Sequence, residues 1–309
     1  MSRKFTFASE SVSEGHPDKM ADQVSDAILD ACLEADPGSR VACECLMTAK
    51  EVIVAGEVHT TADIMNRVTD LVRGVIRDTG HNSDSGYEAK SVRVRNLLHA
   101  QSDEIRYGVD QGGAGDQGLM FGYACRETPE LMPFPIQLAH RIMERLAAIR
   151  HSGKVPWILP DAKCQVTAIY EDDQVTGIDN IILSTQHAPH TNHGSGFWSV
   201  GSHPHGHHAG LRGVSHKMIA DVVIPEVIIP EIAPRFDPKD IRFHINPSGS
   251  FTQGGPVGRI HGPLPGQKHR GITTGRPLRG AAGLFDRDEK TSIHDARLHG
   301  HRTDTRGAG

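Results

Sequence analysis

Apolar residues recur at helical spacing through Met20, Val24, Ala27, Ile28 and Ala31, and the run stops at Asp36-Pro37-Gly38. That period predicts an amphipathic helix over 19–35. Pro17 and Asp18 stand at its start, where a carboxylate suits the backbone N–H groups and the helix dipole. Two runs rich in Val and Ile follow, 40–48 and 51–58, and the short polar break between them predicts a hairpin. Ile64, Val68, Leu71, Val72, Val75 and Ile76 mark a second helix, stopped by Gly80. The alternation of Val92, Val94, Asn96 and Leu98 predicts a strand over 91–98.

From Gln101 to Gly118 the chain is acidic, glycine-rich and without apolar period, the mark of a functional lid or a link. The earlier pattern then returns in kind: a strand over 118–124, a helix over 136–149, and a hairpin of 164–170 with 175–184. The expected fold class is therefore α/β (α+β), with repeated units of helices packed on mixed sheets. Residues 190–215 break the pattern with His190, His193, His203, His205, His207 and His208 among Gly and Ser. A helix is expected again over 216–232 and a strand over 241–245, before a turn at 246–251 and the Gly254-Gly255-Pro256 run. Beyond Arg259 no period survives, and 259–309 reads as a disordered tail.

Composition sharpens this picture. A chain of 309 residues has room for two or more domains, yet 37% apolar and 5% aromatic residues are lean, and the deficit falls in the second half. The net charge of −5 argues against nucleic acid and anionic membranes as partners, and the basic tail carries no aromatic beyond Phe285. Cys32, Cys43, Cys45, Cys125 and Cys164 form no metal spacing, and Cys43 and Cys45 share one strand face as small core residues. With no apolar leader or membrane-length run, a soluble cytoplasmic protein is expected.

The chemistry concentrates in Ser13-Glu14-Gly15-His16-Pro17-Asp18-Lys19, at a helix start. Such a start attracts phosphate, and a carboxylate beside it makes sense through Mg²⁺. His16 is placed to donate to a leaving oxygen, and the competing reading is a simple helix cap. Asp116 sits between glycines that permit close approach to a ligand. Asp161-Ala162-Lys163 opens a strand and can present an amine to phosphate or to water. Glu44 and Glu57 interrupt apolar strand runs, as partly buried carboxylates needing a cation or donors, or as members of a half-exposed edge. The His205–His208 cluster has no carboxylate or Cys to complete a metal shell.

Together these segments resemble the S-adenosylmethionine synthetases. The resemblance is carried by S-E-S-V-S-E-G-H-P-D-K at 9–19, G-A-G-D-Q-G-L-M-F-G-Y-A at 113–124, P-D-A-K at 160–163, L-S-T-Q-H at 183–187 and I-N-P-S-G-S-F at 245–251. It implies that methionine sulfur attacks C5′ of ATP and displaces tripolyphosphate, which is then hydrolysed to phosphate and diphosphate. By this resemblance His16, Asp116 and Lys163 are catalytic. His16, Asp161, Ala162, Lys163, Ser250 and Phe251 bind ATP, with Ser250 where many relatives carry Arg. Glu57 and Gln101 bind methionine, Asp18 holds Mg²⁺ and Glu44 holds K⁺. It further implies a homodimer or homotetramer with sites at the subunit interface, and a mobile loop after Gln101 that closes over the site.

The expected organisation is an N-terminal domain over 1–101, a mobile loop over 102–113, a central domain over 114–189 and a His/Gly-rich insertion over 190–215. The end of the central domain and the start of a third occupy 216–258, and 259–309 is a divergent tail. After Gly258 relatives continue with Asp and a G-L-T-G-R-K segment, whereas this chain has Arg259 and an Arg/His/Gly/Pro-rich run. We read 259–309 as translated out of frame, which leaves the third domain incomplete. An inactive remnant is the alternative to the enzyme.

Overall fold

The computed structural model describes residues 3–102, 107, 122–192, 211–232 and 235–257, of which 190–192 and 211–212 are described by backbone alone. Most of the expected mobile loop over 102–113, the 114–121 stretch after it, the histidines at 193–208 and the tail from 258 lie outside the described residues.

Two sheets carry the molecule. The first is built from β2 (Arg40–Met47), β3 (Glu51–His59) and β4 (Arg93–Ala100) in that order, with β2–β3 antiparallel and β3–β4 parallel. One face packs on α1 (Pro17–Ala35) and α2 (Val68–Asp78), burying Met20, Val24 and Ile28 with Val52, Val54, Val72 and Ile76. Cys43 and Cys45 point into this core, as their spacing predicts, which turns Glu44 outward. The other face, with Leu97 49% exposed, carries no helix among the described residues.

The second sheet runs β1 (Lys4–Val12), β5 (Ile158–Glu171), β6 (Gln174–His187) and β9 (Arg242–Ile245). The predicted hairpin of 164–170 with 175–184 is the centre of this sheet. Its core lies under α3 (Phe134–His151) and under α4 (His216–Val222) with the turns that continue it. The helix expected over 216–232 is interrupted by a π-helical stretch, Val223–Ile228, before α5 (Ile229–Ile232). Pro225 has no N–H to give, and the Ile229 N–H reaches back five residues to the Ile224 carbonyl, so the wider turn absorbs the missing donor. A strand expected over 118–124 is not seen at 122–124, the part of it that is described. A short pair, β7 (His190–Asn192) with β8 (Leu211–Gly213), closes the ends of the His-rich segment.

The first strand joins the two halves. β1 opens the expected N-terminal domain but pairs with β5 from Lys4↔Glu171 to Val12↔Lys163. The chain therefore leaves the second sheet directly into the turn at Ser13–His16 and from there into α1. This crossing sets the site.

Candidate functional site

Ser13 fastens the turn before α1 to the second sheet. Its N–H donates to the Ala162 carbonyl at 2.9 Å, its hydroxyl donates to the Pro160 carbonyl at 2.6 Å, and the Ala162 N–H donates back to the hydroxyl at 2.8 Å. Gly15 then passes so close to Pro160 that any Cβ would overlap its ring. The glycine is a steric requirement of the crossing. Glu14 pairs with Arg150 and lies 2.6 Å from His151 Nε2, tying the same turn to the end of α3.

His16 caps α1: its Nδ1 accepts from the Asp18 N–H at 3.2 Å, and the Met20 N–H donates to its carbonyl at 2.8 Å. In a neutral ring the proton is then on Nε2, leaving that edge as a donor. The Asp18 carboxylate lies 3.9 Å from His16 Nδ1 and is 41% exposed.

The P-D-A-K stretch stands beside this turn, but its members do different things. Asp161 is buried and its Oδ2 accepts from the Gly255 N–H at 2.7 Å. Both backbone polar groups of Ala162 bond to Ser13. Lys163, opposite Val12 in register and half exposed, forms an ion pair with Glu10 on the open face of the sheet. Phe251 is fixed to His187 in both directions, by its N–H to Nε2 at 3.1 Å and its carbonyl to the His187 N–H at 3.0 Å. Ser250 is exposed.

The remaining predicted residues stand elsewhere. Glu44, Glu57 and His99 share the open face of the first sheet, where Glu57 lies opposite His99 and Glu44 opposite Ala55. Gln101, just past β4, donates its N–H to the Val58 carbonyl. Glu57 Oε2 and Gln101 Oε1 are both shielded from solvent, and neither has a hydrogen-bond partner among the described residues. Such acceptors call for a donor that is not among the described residues. Asp116 lies outside the described residues. Backbone pairing thus sets Asp161, Ala162 and Lys163 beside the turn that carries His16 and Asp18, whereas Glu44, Glu57 and Gln101 stand on another sheet.

For metals, no cluster of three or more His, Cys, Asp or Glu forms a site among the described residues. Mg²⁺ takes one or two carboxylates and fills its octahedron with phosphates and water, so a half-exposed Asp18 at a helix start fits it. Glu44 supplies one exposed carboxylate to any K⁺ site, and among the described residues no group of three or more His, Cys, Asp or Glu gathers around it.

Sequence reasoning gave Ser13 and Gln186 no role of their own, although both stand in the quoted motifs, and did not single out His81 or the Arg150–His151 pair. Gln186 is fully buried and its amide donates to the Ser85 and Thr252 carbonyls, so it bolts the 252–255 segment to the first domain. The Gly254-Gly255 pair was the one sequence signal for that close approach.

None of the described helices is long and apolar enough to cross a membrane. Compared with known families, residues 4–103 match the model of the S-adenosylmethionine synthetase N-terminal domain, and residues 111–251 match that of the S-adenosylmethionine synthetase central domain.

Proposed function

Since the chain belongs to the S-adenosylmethionine synthetase family, we propose that it transfers the adenosyl group of ATP to the sulfur of L-methionine. The sulfur lone pair attacks C5′, the C5′–O bond breaks, and tripolyphosphate leaves with the electron pair. Water then cleaves it to phosphate and diphosphate.

The observation that carries the reading is the crossing at Ser13–His16, which sets a capped helix start against the strand bearing Lys163. A polyphosphate leaving group concentrates negative charge, so it is stabilised by the helix dipole and by cations. His16 Nε2–H donates to the leaving oxygen. Lys163 exchanges its contact with Glu10 for one with phosphate. Asp18 would hold Mg²⁺, which when bound supplies further charge neutralisation to the phosphates. Asp161 and Ala162 keep the turn and the 251–255 segment in place, and Phe251 and Ser250 flank the nucleotide. Asp116, by the family motif, lies by the adenosyl group.

The two orphaned acceptors, Glu57 Oε2 and Gln101 Oε1, suit the three donors of the methionine ammonium group. Because they belong to the open face of the other sheet, this reading builds the full site between two copies, in a homodimer or a tetramer of two dimers. The same pairing would bring further oxygen donors to Glu44, as K⁺ requires.

A second reading is favoured by the departure from the family pattern at Arg259: an inactive remnant that binds nucleotide. Incubating the purified chain with ATP, methionine, Mg²⁺ and K⁺ separates the two. The enzyme forms S-adenosylmethionine, and His16→Ala lowers kcat by about a hundredfold or more. Nucleotide binding without product establishes the remnant and overturns the enzyme.

A further inference from the structure

We propose that His81 is a positioning residue that pins the Ser13–His16 turn, so that His16 faces the nucleotide only while His81 holds Gly15. The role rests on the ATP reading above. His81 is 4% exposed and joins segments remote in sequence. Its Nε2 lies 2.8 Å from the Gly15 carbonyl, 66 positions away, and its Nδ1 lies 3.0 Å from the Ser85 hydroxyl. A carbonyl only accepts, so Nε2 carries the proton. Tyr87 meets the ring edge-on with centroids 5.8 Å apart. On the remaining side Gly255, at φ +61°, passes so close that a Cβ would come within 2.8 Å of the ring's Cε1.

The turn is therefore held from two sides. Ser13 fixes it to β5, and His81 fixes the residue next to His16 to the first domain. Burial holds the imidazole below its ordinary pKa, opposed by the bond to Gly15 and the Asp161 charge and reinforced by Arg150. A neutral ring has one N–H to give, and the Gly15 carbonyl takes it. Without that donor the buried carbonyl is left unpaired and the turn gains freedom.

Glutamine and asparagine divide the two ring nitrogens between them. The Gln amide reaches where Nε2 lies, and the Asn amide stops near Nδ1. The test uses the full chain, with amide hydrogen exchange of residues 13–19 read without nucleotide and Mg·ATP affinity read separately. His81→Asn is expected to speed exchange about tenfold and to weaken Mg·ATP about tenfold, while His81→Gln stays within about twofold of the parent in both. Ser85→Ala, which removes the Nδ1 contact and the hydroxyl's two bonds to the Asn82 backbone but leaves Nε2 on Gly15, is expected to behave like His81→Gln. Asn and Gln variants with the same exchange overturn the pin. Faster exchange in His81→Asn with unchanged Mg·ATP affinity overturns the link from turn to nucleotide and leaves the ATP reading standing. A parent chain that binds no Mg·ATP overturns the ATP reading and the positioning role with it, whatever the exchange. If His81→Asn does not fold, His81→Gln decides: retained protection and affinity support the pin, and their loss overturns it.

Discussion

Ser11 and His140 meet between β1 and α3, hydroxyl to Nδ1 at 2.7 Å, across 129 positions of sequence. Burial, helped by the nearby Lys19 charge, pushes the His140 imidazole down to about 4 from an ordinary value of 6.5. The unfolded chain therefore binds a proton near pH 6.5 that the folded chain refuses until near pH 4. Stability contributed by the neutral ring is complete above pH 6.5 and is lost as the pH falls through that window. By pH 5 the loss amounts to about 2 kcal/mol. Chemical denaturation at pH 7.5 and pH 5 should show it, and His140→Gln should flatten the slope. An unchanged slope in the variant contradicts the assignment. Residues of this kind are the ones the sequence hides. His16 announces itself because its neighbours Gly15, Pro17 and Asp18 each make sense at a helix start. His81 and His140 sit alone in ordinary runs, and their meaning comes from Gly15 and Ser11, which no local period connects to them.

Among the elements, the helices and hairpins were legible because each buries one face and so keeps one period. α1 follows its predicted apolar positions, and β5–β6 has the hairpin pairing expected of it. β1 was the exception. Phe5 and Phe7 begin an alternation that Ala8, Ser9 and Ser11 blur, because the strand's later positions are packed with small polar residues at the crossing. Residues 4–12, at the start of the expected 1–101 domain, pair with β5 and so complete the other sheet. A deletion tests this dependence. A chain starting at Ser13 loses the strand that pairs with β5 from Lys163 to Glu171, so the second core should lose its cooperative melt together with the seat of the turn. Near-ultraviolet circular dichroism during heating provides the readout. A sharp transition at the parent midpoint would mean that β1 is an accessory.

At the scale of the molecule, each sheet covers one face with helices and leaves the other open, and the two groups of site residues lie on different sheets. In the proposed function the phosphate end lies where β1 becomes α1, beside Lys163, and Glu57 and Gln101, whose Oε2 and Oε1 lack a partner among the described residues, belong to the first sheet. The family motifs made the parts legible from sequence. Their division between two faces was not, because register and strand crossing are properties of long-range pairing. The central claim is that the turn at Ser13–His16 is the phosphate end of an ATP site. A crystal structure of the chain with Mg²⁺ and a non-hydrolysable ATP analogue tests it most directly. The account predicts phosphate oxygens within hydrogen-bond reach of His16 Nε2 and Lys163 Nζ, with the metal on Asp18. Phosphates bound away from that turn would contradict it.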